Sequence, residues 1–305
     1  VTLPDQSWIS EVGPVAGLTL QAWDLSHPLT DPSVQVVVPP IGAGDRLRHL
    51  GGLPGLRIVH VVTAGYDHVL ARLPAGVTLC NAAGVHDTST AEFAVALILA
   101  AQRGIPQFVR AQDRGEWIGH HPWPALGDRR VLIIGYGRIG RALAARLAPF
   151  EVSLTAVASR PRSGDGLVDR VHGIGDLPGM LPHQDIVVVV TPLTDTTRGL
   201  VDAAFLAALT DGALVVNVAR GPVLDTAALL AETASGRLRA ALDVTDPEPL
   251  PPDHPLWRTP GVLIAPHVGG AGDTFRPRMV RLLREQLTRY AVGEPLMHIV
   301  AGPGA

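Results

Sequence analysis

Short apolar runs rich in Val, Ile and Leu, broken by Gly, Pro, Asp and Ser, recur along most of the chain, with helically spaced stretches between them. In the first third, residues 18–23, 34–38, 56–62 and 77–80 read as strands, and 45–50 and 67–73 as helical pieces. From residue 131 the rhythm restarts. Strands at 131–134, 152–157, 186–190, 213–218, 239–242 and 262–264 alternate with helical pieces at 139–148, 203–208 and 225–235. This alternation predicts an α/β fold, with a small parallel domain followed by a doubly wound parallel sheet of about six strands.

Residues 88–102 are apolar nearly all round, the pattern of a buried helix. Residues 103–130 are polar and carry Gly115, Gly119, Pro122 and Pro124, so they read as a connector with one helical piece. Residues 274–291 have the spacing of an amphipathic, arginine-rich helix, with Thr274 as N-cap and Pro277 in its first turn. That helix is expected to return to the first domain. A discontinuous substrate domain of residues 1–98 and 270–305 is therefore expected, with a dinucleotide-binding domain at 99–269.

The second half is organised around Val131-Leu132-Ile133-Ile134-Gly135-Tyr136-Gly137-Arg138-Ile139-Gly140. A β-branched strand runs straight into G-x-G-x-x-G and then a helix. Gly135 permits the tight turn, Gly137 lets the backbone approach a pyrophosphate, and Gly140 lets the helix pack close on the strand. The helix N-terminus then presents N–H groups to the phosphates.

Composition narrows the function classes. The chain of 305 residues is 47% hydrophobic with a net charge of −3, so nothing points to nucleic acid as a partner. All 25 basic residues are arginine, which excludes Schiff-base chemistry and a P-loop lysine. The single cysteine, Cys80, lies in an apolar run and has no internal disulfide partner. With no signal peptide and no apolar run of membrane-spanning length, a cytoplasmic protein without a membrane partner is expected. No metal-ligand spacing is present.

Four stretches together resemble the D-2-hydroxyacid dehydrogenase family. They are residues 135–140; Val216-Asn217-Val218-Ala219-Arg220-Gly221-Pro222-Val223-Leu224-Asp225; Leu242-Asp243-Val244-Thr245-Asp246-Pro247-Glu248-Pro249-Leu250; and Ala265-Pro266-His267-Val268-Gly269-Gly270. The resemblance covers nearly the whole chain and is weakest before residue 55. It implies two Rossmann-like domains: a doubly wound cofactor domain and a smaller flavodoxin-like substrate domain. It also implies a homodimer and hydride transfer between NAD(P)H and a small 2-keto acid or D-2-hydroxy acid.

The residues fit that chemistry. Arg220 follows a predicted strand end, where open α/β sheets bind ligands, and a guanidinium suits a carboxylate. By residue type alone it reads equally as a surface arginine; the resemblance makes it a catalytic, substrate-binding residue. His267 can give and take a proton near working pH, and a carboxylate such as Glu248 fixes an imidazole's tautomer. By itself Glu248 is a solvated loop carboxylate and His267 one of 12 histidines; the resemblance makes them the acid/base pair. Thr63-Ala64-Gly65-Tyr66-Asp67 is either a plain strand-end turn or, by resemblance, a carboxylate site made by the Ala64 and Gly65 N–H groups.

For the coenzyme, the segment Ala158-Ser159-Arg160-Pro161-Arg162 lies about 20 residues past the last glycine, where NAD-selective folds place an acid. No acid is present there. Ser159, Arg160 and Arg162 suit a 2′-phosphate, so NADP is preferred over NAD; if the arginines are merely solvated, both are used. By resemblance the backbone of Arg138 and Ile139 meets the pyrophosphate, Thr191 and Pro192 line the adenosine side, and Val218 and Ala219 line the cofactor. Thr90 and Asp243 face the nicotinamide; Asp243 reads equally as a turn cap. Residues 115–124 match the family's dimer arm only loosely, and Trp123 either packs the dimer, the favoured reading, or reaches a neighbouring subunit's pocket. Ala64 offers no charge, unlike the lysine of phosphite-oxidising relatives. The expected activity is a 2-keto acid reductase of the glyoxylate or hydroxypyruvate type. The alternatives are a non-enzymatic nucleotide-sensing corepressor and a formate- or phosphite-type dehydrogenase.

Overall fold

The structure, a computed structural model, describes residues 1–119 and 122–305. The chain begins with β1 (Thr2–Leu3), α1 (Gln6–Val12), β2 (Gln21–Ala22), β3 (Val36–Val37), β4 (Ile58–His60), α2 (Asp67–Leu70) and β5 (Thr78–Cys80). There follow α3 (Asp87–Gln102), α4 (Ile105–Asp113), β6 (Arg130–Ile134), α5 (Arg138–Leu147), β7 (Ser153–Ala158), β8 (Arg162–Ser163) and β9 (Arg170–Gly173). Next come α6 (Leu177–Met180), β10 (Ile186–Val189), α7 (Ala203–Ala207), β11 (Leu214–Asn217), α8 (Thr226–Ala234), β12 (Arg239–Leu242) and β13 (Val262–Ile264). The chain closes with α9 (Phe275–Val292) and β14 (Ile299–Ala301). The expected helical piece at 45–50 is a 3₁₀ segment, Gly44–Gly52.

Two compact units result, Val1–His86 with Asp273–Ala305, and Asp87–Gly272. The first junction thus falls at the start of α3, whereas the sequence reading sets it inside that helix.

In the first unit the strand order is β2-β1-β3-β4-β5-β14, parallel except for β14, which runs antiparallel to β5. Its first five strands follow the 2-1-3-4-5 order of flavodoxin-like sheets. Asp5 starts α1 by accepting from the Ser7 N–H at 2.8 Å and the Trp8 N–H at 3.2 Å. Helix α9 packs on α1, with the Arg276 guanidinium 3.6 Å from the centre of the Trp8 ring. Thr274 does not cap α9 as expected: its backbone is already helical and its side chain makes no capping bond.

Among the described residues the second unit's sheet has the order β13-β12-β11-β10-β6-β7-β9-β8, parallel except at the β8–β9 edge. The six expected strands are all present. β9, beyond β7, completes the 3-2-1-4-5-6 order of a dinucleotide fold, and β13 and β8 add one strand at either end. Burial on both faces explains the unbroken apolar runs. Leu132, Ile134, Val187, Val189 and Val215 face one core; Val131, Ile133, Ile186, Val188 and Val216 face the other. The second core also takes Ala91, Ala94, Leu97 and Ile98 of α3 and Leu143, Ala144 and Leu147 of α5.

Candidate active site

The glycine turn sits at the C-terminal end of β6. Gly135 has φ +108°, and a Cβ there would lie 2.6 Å from the Val190 carbonyl. A Cβ on Gly140 would lie 2.3 Å from the Gly135 oxygen. These two glycines are required by packing. Gly137, the N-cap of α5, is different: a Cβ there would meet nothing within 4 Å. Its bare backbone faces open space at a helix N-terminus, which fits a pyrophosphate cradle offering the Arg138 and Ile139 N–H groups. A second sign is Thr191, past the end of β10, whose buried Oγ1 has no partner among the described residues. Pro192 beside it is exposed. The Arg138 side chain lies 2.9 Å from Asp87 Oδ2, so its guanidinium is already held.

At the end of β7, Ser159, Arg160 and Arg162 are all exposed. Arg162 donates to the Tyr136 carbonyl at 2.5 Å, with its guanidinium 5.8 Å from the Tyr136 ring centre. An acid absent from residues 158–162 arrives by another route. The loop beyond β8 brings Asp165 to accept from the Tyr136 hydroxyl at 3.0 Å and from Arg141 at 2.7 Å. Burial and this carboxylate push the Tyr136 phenol up to about 12, so it remains a donor. Asp165 was not singled out from sequence, because a polar loop between short strands gives no periodic signal.

Arg220, Glu248 and His267 follow β11, β12 and β13, three neighbouring strands. Buried Asn217 shapes the first loop, accepting from the Ala219 N–H at 3.0 Å and donating to the Arg220 carbonyl at 3.1 Å. Val218 and Ala219 are buried, and Arg220 is half-buried, with Nη1 2.8 Å from the Ala219 carbonyl. A Cβ on Gly221 would lie 1.9 Å from the Thr245 oxygen, so the β11 and β12 loops touch through that glycine.

His267 Nδ1 lies 2.6 Å from Glu248 Oε1, with both side chains about two-fifths exposed. The carboxylate can only accept, so Nδ1 carries the hydrogen and Nε2 is left for exchange. His267 has a left-handed backbone, φ +55°. Asp243 supports it: its carbonyl accepts from the His267 N–H at 2.8 Å, and its carboxylate from Val268 N–H at 2.8 Å and Gly269 N–H at 2.9 Å. Of its two expected roles, the structure displays that of turn cap. Thr90 is buried in α3. Asn217 and the Asp243 clamp act through side chain-to-backbone bonds, which leave no mark on spacing.

Ala64 and Gly65 lie in the first unit, in the turn after β4. Trp123 packs against its own chain, its ring edge-on to Phe108 at 5.5 Å and over Gly104. Within residues 115–124, His120 and His121 lie outside the described residues. Among the described residues no helix is long and apolar enough to cross a membrane, and no cluster of His, Cys, Asp and Glu is set to hold a metal.

Residues 95–269 match the family described as D-isomer specific 2-hydroxyacid dehydrogenase, NAD binding domain. A glyoxylate reductase of Thermofilum pendens is 34% identical over 251 residues, 79% of this chain and 74% of that protein. The glyoxylate reductase/hydroxypyruvate reductase of Homo sapiens is 33% identical over 248 residues, 79% of this chain and 76% of that protein. The crystal structure of a D-isomer specific 2-hydroxyacid dehydrogenase from Xanthobacter autotrophicus Py2, in complex with NADPH and MES, is 35% identical. It aligns over 97% of this chain and 95% of its own, with a TM-score of 0.80.

Proposed function

The chain belongs to the D-isomer specific 2-hydroxyacid dehydrogenase family, and on that footing we propose that it reduces a small 2-keto acid of the glyoxylate or hydroxypyruvate type, with NADPH as preferred coenzyme. It is an oxidoreductase of CH–OH donors using a nicotinamide coenzyme.

The observation that carries the proposal is the His267–Glu248 pair at 2.6 Å, on loops next to the one bearing Arg220. Glu248 holds the Nδ1 hydrogen, so Nε2 gives a proton to the ketone oxygen in reduction and takes it back in oxidation. The Arg220 guanidinium grips the carboxylate and polarises that oxygen. The Ala64 and Gly65 N–H groups are assigned the rest of the carboxylate. A bound nicotinamide supplies the hydride. Formate or phosphite oxidation protonates no carbonyl, and a nucleotide-sensing corepressor has no use for an acid/base pair, so neither alternative is favoured.

NADPH is favoured by exposed Ser159 and Arg160 at the end of β7 and by the full engagement of nearby Asp165 with Tyr136 and Arg141. NADPH in the Xanthobacter relative points the same way. A homodimer is supported by Ile105, Phe108 and Val109, one exposed face of α4, and by Trp117, which is 98% exposed. The buried lone thiol of Cys80 suits a reducing cytoplasm.

Oxidation of NADPH and NADH with glyoxylate, hydroxypyruvate, pyruvate and bulkier 2-keto acids tests the proposal. Turnover of a small keto acid with higher kcat/KM for NADPH is expected. No turnover with any keto acid overturns the activity, and a clear NADH preference overturns the coenzyme assignment.

A further inference from the structure

The turn after β4 is held from behind by a set of bonds that the reaction itself does not require. Four consecutive carbonyls, Val62 to Gly65, each accept from a donor within the first unit. His86 Nε2 lies 2.9 Å from the Val62 oxygen, and the Ala82 N–H donates to Thr63 at 3.0 Å. Asn81 Nδ2 donates to Ala64 at 2.7 Å, and the Thr63 hydroxyl to Gly65 at 2.7 Å.

A trans peptide is planar, with its C=O and N–H on opposite sides. Holding the Thr63 and Ala64 carbonyls therefore turns the Ala64 and Gly65 N–H groups the other way. Among the described residues no backbone carbonyl accepts from either. We propose that Asn81, assisted by His86, is a positioning residue: it fixes the Ala64–Gly65 peptide plane so that the Gly65 N–H faces the substrate carboxylate. This rests on the function proposed above.

The orientation of both side chains is determined by their partners. Asn81 Oδ1 accepts from the Ala83 N–H at 3.3 Å, so its Nδ2 is the atom directed at Ala64. A carbonyl cannot donate, so His86 Nε2 carries hydrogen toward Val62. Asn81 is 7% exposed and His86 8%, and the imidazole stacks on Phe275 with ring centres 5.1 Å apart. Buried polar groups of this kind are costly unless bonded. Here each is bonded to the backbone of the turn or its flank.

The test compares steady-state constants with NADPH and glyoxylate, together with calorimetric binding of oxamate to the coenzyme-loaded protein. Asn81→Ala frees the peptide plane and should raise the keto-acid KM and the oxamate Kd about tenfold, leaving the NADPH KM within about twofold. His86→Phe keeps the stack on Phe275 but lacks the donor, and should raise both about threefold; His86→Gln restores a donor and should recover most of the loss. If Asn81→Ala does not fold, the His86 pair and Thr63→Val carry the same comparison. Unchanged keto-acid KM and oxamate Kd, or an equal rise in NADPH KM, overturns the positioning role. A wild type that binds oxamate but reduces no keto acid overturns the proposed function alone, and the oxamate series then decides this proposal. A wild type that does neither overturns both.

Discussion

Asp243→Asn separates the two roles the sequence allows for that residue. Asp243 is 3% exposed, and each carboxylate oxygen accepts one backbone N–H, from Val268 at 2.8 Å and Gly269 at 2.9 Å. An asparagine keeps one of these bonds and turns an NH₂ against the other N–H. Loss of one charge-assisted bond, with two donors left facing each other, costs about 2–4 kcal/mol. For a unit of this size that corresponds to a fall in Tm of about 5–15 °C. The same clamp holds His267 at φ +55°, a conformation that costs a non-glycine residue about 1–3 kcal/mol. Its release should lower kcat about tenfold. The assay is thermal unfolding of the coenzyme-free protein beside steady-state kinetics. A coenzyme-free Tm within about 2 °C of wild type, with only the NADPH KM raised, would refute the clamp and assign the carboxylate to the coenzyme.

Glycine substitutions should divide by what a Cβ meets. Gly137→Ala faces open space and should leave Tm unchanged while weakening NADPH binding, whereas Gly140→Ala drives a methyl to 2.3 Å from the Gly135 oxygen and should cost about 1–3 kcal/mol by denaturant unfolding. Burial pushes His60 down from 6.5 to about 4. The unfolded chain therefore binds the proton more tightly, and stability complete above pH 6.5 is lost toward pH 4, by about 3 kcal/mol in all. Urea unfolding at pH 7 and pH 5 should show most of this loss in the wild type and less in His60→Leu; equal losses would contradict it. Burial also pushes the Cys80 thiol up to about 11, so it should resist a disulfide reagent at pH 8 until the chain is denatured.

The dinucleotide half was legible because its signals are local. The 131–134 run, the three glycines and the apolar face of α5 lie within one continuous stretch. The α/β rhythm was equally readable, since strands buried on both faces are apolar at every position. What escaped notice was short or long-range. β1 has two residues, and β8, the edge strand, and β9 beside it are short and largely polar, flanking Gly164 and Gly166, with no periodicity to detect. Asp5 before Gln6–Val12 was a usable N-cap signal for α1. At the site, the family resemblance, not residue type, named Arg220, Glu248 and His267. The 2.6 Å contact of His267 with Glu248, and the clamps from Asp243 and Asn81, exist only once distant loops meet.

The central claim is that the His267 imidazole, held by Glu248, carries the proton of the reduction. Its most direct test is kcat of His267→Ala with saturating keto acid and NADPH, with coenzyme binding measured in parallel. The account predicts a fall in kcat of about 10²–10⁴ with NADPH affinity retained. Turnover within about twofold of wild type would contradict it.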